Sequence, residues 1–326
     1  MKIKKIFLML LITLISIPTN IYAYSNKIIL GGNNIGIEVK TKGILVVGLY
    51  EIDNERVAES SGIQAGDYII SVNNNNINSI SDFTKEIEND DDKKSINITY
   101  KRKNKTFNTT LNIVEKDGEY KTGLYVKDKI NGIGTLTFID PQTKKFGALG
   151  HEIVTKETNE ILNIDDGSIY YSYITGITKS NNGNPGEKEA DYDNNKKYGI
   201  IKENTNKGIF GDYTDSINNE NMYEVANPQE IKEGSASLFT VIDGENLESF
   251  EIQIEKLNLR DNTKNIVFKV TDEKLLNKTG GIVQGMSGSP IVQNNKIIGA
   301  VTHVIVNDCT RGYGIFITNM LEESEN

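Results

Sequence analysis

The chain has 326 residues, with 36 basic against 45 acidic side chains, a net charge of −9, two His, one Cys and no Trp. At ~150 residues per domain this is about two domains with apolar material for two cores. One Cys excludes a disulfide framework and a cysteine-based zinc site, two His argue against a multi-histidine metal centre, and the acidic balance argues against general affinity for nucleic acid or anionic lipid.

The first segment, 1–24, has Lys2, Lys4 and Lys5 ahead of an apolar run from Ile6 to Ile17, then Pro18 and the small residue Ala23. A basic start, a short apolar core and a small residue form the pattern of an export signal, either cleaved or kept as a single anchor. Both readings place the rest of the chain outside the cytoplasm. Loss of the segment takes the net charge to −12.

From Lys27 to about Glu115 the pattern is short strands and one helix. Ile35–Val39 and Ile44–Val47 read as strands with Gly43 as the turn, and Asp67–Val72 as another. Ser81 or Asp82 caps a helix reaching about Glu88, and Ile96–Tyr100 and Phe107–Leu111 form a hairpin across a basic turn at Lys101–Lys105. Asp90, Asp91 and Asp92 lack other ligands at calcium-loop spacing and read as a solvated helix end. The run Ser61-Gly62-Ile63-Gln64-Ala65-Gly66-Asp67-Tyr68-Ile69-Ile70, continued by Val72-Asn73 and Ile77, resembles the signature of a PDZ domain, with Gly66 permitting a tight turn and Asp67 holding it. That resemblance implies a module spanning 27–115 that adds a peptide as an extra strand. Ile35, Gly36 and Ile37 resemble its carboxylate-binding loop.

From Gly123 onward the apolar runs are short and rich in Ile, Val, Tyr and Thr, with turn residues between them. Helical periodicity is lacking until Ile317–Glu323. This is the texture of an all-β barrel or sandwich pair. The polar stretch Ser180–Tyr213 reads as a long irregular loop.

The most informative run is Gly280-Gly281-Ile282-Val283-Gln284-Gly285-Met286-Ser287-Gly288-Ser289-Pro290, followed by a predicted hairpin. It resembles the nucleophile loop of chymotrypsin-fold serine proteases. A nucleophilic Ser there projects from a tight loop, and the Gly285 and Ser287 N–H groups, two positions apart, converge on an oxyanion. The spacing is not the elbow of an α/β-hydrolase. The imidazole base must lie upstream, and His151, in Phe146-Gly147-Ala148-Leu149-Gly150-His151, is the one upstream His. His303 reads as structural or as lining a specificity pocket, and Cys309 as a free thiol. Chain order leaves the acid open among Asp165, Asp166, Asp191, Asp193, Asp212, Asp215, Asp243, Asp261 and Asp272.

The two halves together resemble the stage IV sporulation protein B peptidases of spore-forming Firmicutes. The carriers are Lys145–His151, Gly183-Asn184-Pro185-Gly186-Glu187-Lys188, Gly208–Gly211, Thr271–Leu276, Thr279–Pro290 and Gly299–Val304. The resemblance implies a mainly β protein, a PDZ domain followed by a chymotrypsin-like double β-barrel over 120–322, with His151, Asp272 and Ser287 as catalytic residues. It also implies a regulatory serine endopeptidase exported into the space between the forespore membranes, which clips itself and a membrane-bound regulator. No cofactor or metal is implied. A non-catalytic peptide-binding adaptor and a general quality-control protease are the competing readings.

Overall fold

The computed structural model describes residues 24–89, 94–103 and 105–325. The export segment before Tyr24, Asp90–Asp92 and part of the basic turn lie outside the described residues. No helix among those described is long and apolar enough to cross a membrane.

The first strands are β1 (Lys27–Leu30) and the long β2 (Asn34–Leu49). A module follows, built of β3 (Tyr68–Val72), β4 (Asn75–Asn76), α1 (Ile80–Glu88), β5 (Ser95–Arg102), β6 (Lys105–Asn112) and a small hairpin of β7 (Val114–Lys116) and β8 (Glu119–Lys121). Then β9 (Leu124–Ile139) returns antiparallel along β2 over most of its length, from Leu49↔Leu124 to Asn34↔Thr135, with a register break between Lys40 and Leu45. The break divides both strands. Their outer halves close the module, whose core is Ile44, Val46, Ile69, Phe83, Ile98 and Leu124.

The inner halves belong to a β-barrel. It continues through β10 (Lys145–Ala148), β11 (Ile164–Thr178), β12 (Glu187–Thr205) and β13 (Gly208–Tyr213), and its core includes Ile35, Ile37, Val39, Phe146, Ile169 and Ile209. The connecting β14 (Met222–Val225) pairs with β1 and, in parallel, with a strand of the second barrel. That barrel comprises β15 (Gly234–Val241), β16 (Leu247–Leu257), β17 (Ile266–Val270), the short α2 (Glu273–Thr279), β18 (Pro290–Gln293), β19 (Lys296–Val304) and β20 (Arg311–Phe316). Leu238, Phe250, Ile254, Phe268, Met286 and Val301 form its core. The last helix, α3 (Ile317–Ser324), buries Ile317, Met320 and Leu321 against Phe138, Phe210 and Ile315, sealing the junction of the barrels.

Three expectations change. Ile35, Gly36 and Ile37 are not a peptide-binding loop. They pair with Gly134, Ile133 and Gly132 on one side and with Tyr171, Tyr170 and Ile169 on the other, which leaves them no free edge to offer a peptide. The alternation that reads as a binding-module strand is that of a central barrel strand, so residues 27–40 belong with the protease body and the module is inserted into it. Second, the cap of α1 is Ser79, whose hydroxyl accepts from the Asp82 N–H. Third, much of Ser180–Tyr213 is strand. Over 189–197 β12 pairs with β11 alone among the described residues, as a mostly exposed two-stranded ribbon, so no apolar run announces it.

Asp67 is fully buried and accepts from the Gln64 N–H and, bidentately, from Arg102 at 2.6 and 2.7 Å. Arg102 is the last residue of β5, at the basic turn of the hairpin. It closes the Gly66-Asp67 turn onto β5. Arg102→Leu leaves a buried carboxylate without its counter-charge, and is expected to cost about 3 kcal/mol. Urea unfolding of the full chain checks it; an unchanged midpoint contradicts the reading.

Candidate active site

The nucleophile loop begins where α2 stops. Gly280 caps that helix in the left-handed region (φ 72°), and Gly285 and Gly288 sit at φ 91° and 92°. At Gly288 a side chain would also meet the Thr135 carbonyl at 2.1 Å, so only glycine fits. Met286, fully buried in the second barrel, anchors the loop between them. Ser287 faces a cavity of ≈ 370 Å³ that it shares with Gly285, Leu149 and His151. Its hydroxyl donates to the Thr302 carbonyl (2.8 Å), so attack requires rotation of the side chain towards the imidazole.

The oxyanion geometry follows from what holds the loop's carbonyls. The Gln284 carbonyl accepts from the Lys188 N–H (2.9 Å), and that of Met286 from the Ser289 N–H (2.9 Å). In a trans peptide the next N–H points the opposite way. The N–H groups of Gly285 and Ser287 are therefore turned away from these partners, and neither is donated among the described residues. Two undonated N–H groups two positions apart, on residues that line the cavity, are what an anionic tetrahedral oxygen needs.

His151 follows β10 after Leu149 and Gly150, both at φ 69°. Its Nδ1 lies 2.7 Å from the Glu152 carbonyl oxygen. A carbonyl only accepts, so Nδ1 carries the proton and Nε2 presents its lone pair, the tautomer a general base requires. Burial pulls the imidazole below its ordinary value, against the opposing pull of the Glu152 carbonyl. The His303 ring packs against it at 4.8 Å between centroids. Desolvation and this neighbour bring His303 down to about 4. Both rings are thus neutral at pH 7.

Asp272 does not meet His151. It is the N-cap of α2, accepting from the Leu275 N–H (2.9 Å) and from the Glu251 N–H (3.3 Å). None of the other acids in chain order bonds the imidazole among the described residues. The orienting role assigned to Asp272 by resemblance falls instead to the Glu152 backbone carbonyl, a group invisible in sequence because every residue has one. Sequence reasoning also missed the Thr302 carbonyl, the stacking of His303, and Lys188, which is hidden in a polar stretch. Cys309 is a free, buried thiol whose Sγ donates to the Asn181 carbonyl. In the inserted module, a separate cavity of ≈ 580 Å³ lies between α1 and the β8–β9 segment, lined by Ile80, Phe83, Ile87, Tyr120 and Val126.

Two family models match the chain: SpoIVB peptidase S55 over residues 118–321 and the PDZ domain over 33–113. The chain belongs to the SpoIVB peptidase S55 family. It is a serine endopeptidase with a PDZ domain. No curated protein matches it. Among solved structures it is similar to the PDZ domain of the SdrC-like protein of Listeria monocytogenes, at 23% identity over 28% of this chain and 93% of that one (TM-score 0.24). It is similar to the HtrA-type protease AlgW bound to a decapeptide, at 13% identity over 65% and 54% (TM-score 0.35). The active form of the Rv3671c protease of M. tuberculosis matches at 10% identity over 58% and 71% (TM-score 0.30).

Two outcomes follow. Asp272→Asn keeps a competent helix cap. It should leave the rate of Ser287 labelling within about threefold of wild type, where loss of a triad acid costs about 10⁴-fold. The neutral form of His151 is the active one and burial lowers its value, so activity should be lost only as pH falls through a midpoint below the ordinary 6.5. A rate–pH profile with its acid limb centred at or above 6.5 contradicts the assignment.

Proposed function

We propose that this member of the SpoIVB peptidase S55 family is an exported signalling protease of sporulation. In this reading it acts between the forespore membranes, where it cleaves itself and a membrane-associated regulator protein. Ser287 is the nucleophile, His151 the base, and the N–H groups of Gly285 and Ser287 form the oxyanion hole. The observation that carries the chemistry is the shared cavity, in which a loop serine, an imidazole fixed with its Nε2 lone pair free, and two undonated N–H groups come together.

Ser287 Oγ gives its proton to His151 Nε2 as it bonds the scissile carbonyl carbon. The tetrahedral oxygen is held by the two N–H groups. Collapse expels the amine, which takes the proton from His151. A water then repeats the sequence on the acyl-enzyme and frees the acid. The cleft wall beside the reacting atoms is apolar, with the partly exposed Ile130 and Ile133 backed by the barrel core, which suits an extended peptide with aliphatic side chains. Peptide recognition by the PDZ module is placed at the groove beside α1, where Ile80, Phe83 and Ile87 offer side-chain pockets.

The test compares the full chain with Ser287→Ala. Wild type should be labelled at Ser287 by a fluorophosphonate probe and should shorten its own N-terminal region, as read by N-terminal sequencing; the variant should do neither. Self-processing by Ser287→Ala at the wild-type rate overturns the proposal. Offered a denatured protein, a signalling protease should make a few defined cuts. Progressive degradation would assign the chain to quality control instead.

A further inference from the structure

Lys188 is an anomaly. It is the second residue of β12, just after Gly186 and Glu187, yet it is 5% exposed and has no carboxylate partner among the described residues. Desolvation alone pulls its amine from 10.5 down to about 7. A buried amine without a counter-charge costs folding free energy, and its surroundings show what it does there.

Its Nζ donates to Thr240 Oγ1 (2.9 Å), which lies 3.0 Å from Ser289 Oγ. Because Thr135 gives its own proton to the Gly285 carbonyl, Ser289 donates to Thr135 and accepts from Thr240. Ser289 Oγ lies 3.4 Å from Thr135 Oγ1, and Thr135 donates to the Gly285 carbonyl (2.7 Å) and, through its N–H, to the Ser287 carbonyl (3.0 Å). Thr135, Thr240 and Ser289 are all fully buried. The chain of hydroxyls therefore runs from the Lys188 amine, beneath the nucleophile loop, to the carbonyls on either side of Met286. Lys188 grips the same loop by two other means. Its N–H holds the Gln284 carbonyl, and a side chain at Gly285 would meet the lysine stem at 3.1 Å. The segment that ends in Lys188 is itself strapped along the approach to Ser287. Ser180 Oγ donates to the Ile282 carbonyl and accepts from the Gly186 N–H, and the Gln284 N–H donates to the Gly186 carbonyl.

We propose that Lys188 is a positioning residue for the oxyanion hole: its backbone N–H, its stem and its amine, acting through Thr240, Ser289 and Thr135, fix the Gln284–Ser287 backbone so that the Gly285 and Ser287 N–H groups converge. The proposal rests on the assignment of Ser287 as nucleophile. Lys188 touches no substrate atom. A loop set loose from these anchors lets the Gln284–Gly285 peptide turn, and one oxyanion donor is lost.

The test is inactivation of the full chain by a fluorophosphonate, whose phosphoryl oxygen enters the oxyanion hole. It separates kinact, the chemical step, from KI, the binding step, and counts only sites that react. Loss of one oxyanion donor costs about 10²–10³-fold in rate. Lys188→Met keeps the stem and the backbone N–H but removes the amine. It is expected to lower kinact about 10-fold or more, with KI within about twofold, because only the far anchor of the loop is lost. Thr240→Val cuts the same chain at its next link and should lower kinact in the same way. The double variant should be no slower than the slower single one, because both act along one path. Wild-type kinact in Lys188→Met, or in Thr240→Val should Lys188→Met fail to fold, overturns the proposal. So do losses that multiply in the double variant. Ser287→Ala, run alongside, separates the two failures. Labelling that survives there refutes the nucleophile, whereas an unlabelled Ser287→Ala beside an unimpaired Lys188→Met refutes only the positioning role.

Discussion

The molecule is organised by one pair of strands. β2 and β9 run antiparallel from the wall of the active-site cleft to the core of the PDZ module, and the break between Lys40 and Leu45 assigns each half to a different body. The inner halves carry Ile37, Val39, Ile130 and Ile133 to the cleft, and Thr135 to the underside of the nucleophile loop. The outer halves supply Ile44, Val46 and Leu124 to the module core. A backbone ladder is stiff where it is paired, because each residue there is tied to both neighbours and to its partner across the ladder. The position of the PDZ module relative to Ser287 therefore turns on the break, where residues 41–44 of β2 stand opposite Asp128 alone in β9.

Local backbone groups do the work that a carboxylate does in the familiar serine triad. The Glu152 carbonyl fixes the tautomer of His151, and the Thr302 carbonyl holds the Ser287 hydroxyl. Asp272 serves the same end at one remove. By capping α2 it fixes where that helix starts, and Gly280 fixes where it stops and the glycine-rich loop begins. A neutral carbonyl orients an imidazole but stabilises the imidazolium less than a carboxylate does, and burial acts in the same direction. This site is built for a base that is easily kept neutral.

What was legible in the sequence was whatever a local pattern must encode. The Gly-x-Ser-Gly run needs glycines for its positive φ angles, and the Gly66-Asp67 turn needs its carboxylate. With two His in the chain, the upstream one was the base by elimination. What stayed hidden depends on partners distant in sequence. Ile35–Ile37 alternate as any half-buried strand does, and nothing in that alternation says which sheet receives them. Lys188 sits among Asn, Glu and Gly and gives no hydrophobic sign of its burial. Its neighbours Thr135, Thr240 and Ser289 come from three separate stretches of chain. Residues 189–197 look like loop because a mostly exposed two-stranded ribbon needs no continuous apolar face.

The insertion of the PDZ module between the two halves of a barrel sheet has a consequence for how the enzyme comes into being. The contacts Ile35↔Gly134 and Ile37↔Gly132 join residues separated by the whole module. With that stretch unfolded, bringing them together means closing a long, floppy loop; with the module folded, its own ladder delivers the two inner strands already side by side. The topology therefore favours one order of assembly, in which the module folds before the barrel closes on it. A chain whose module folds before its barrel closes has the peptide-binding body in place before the catalytic loop is assembled.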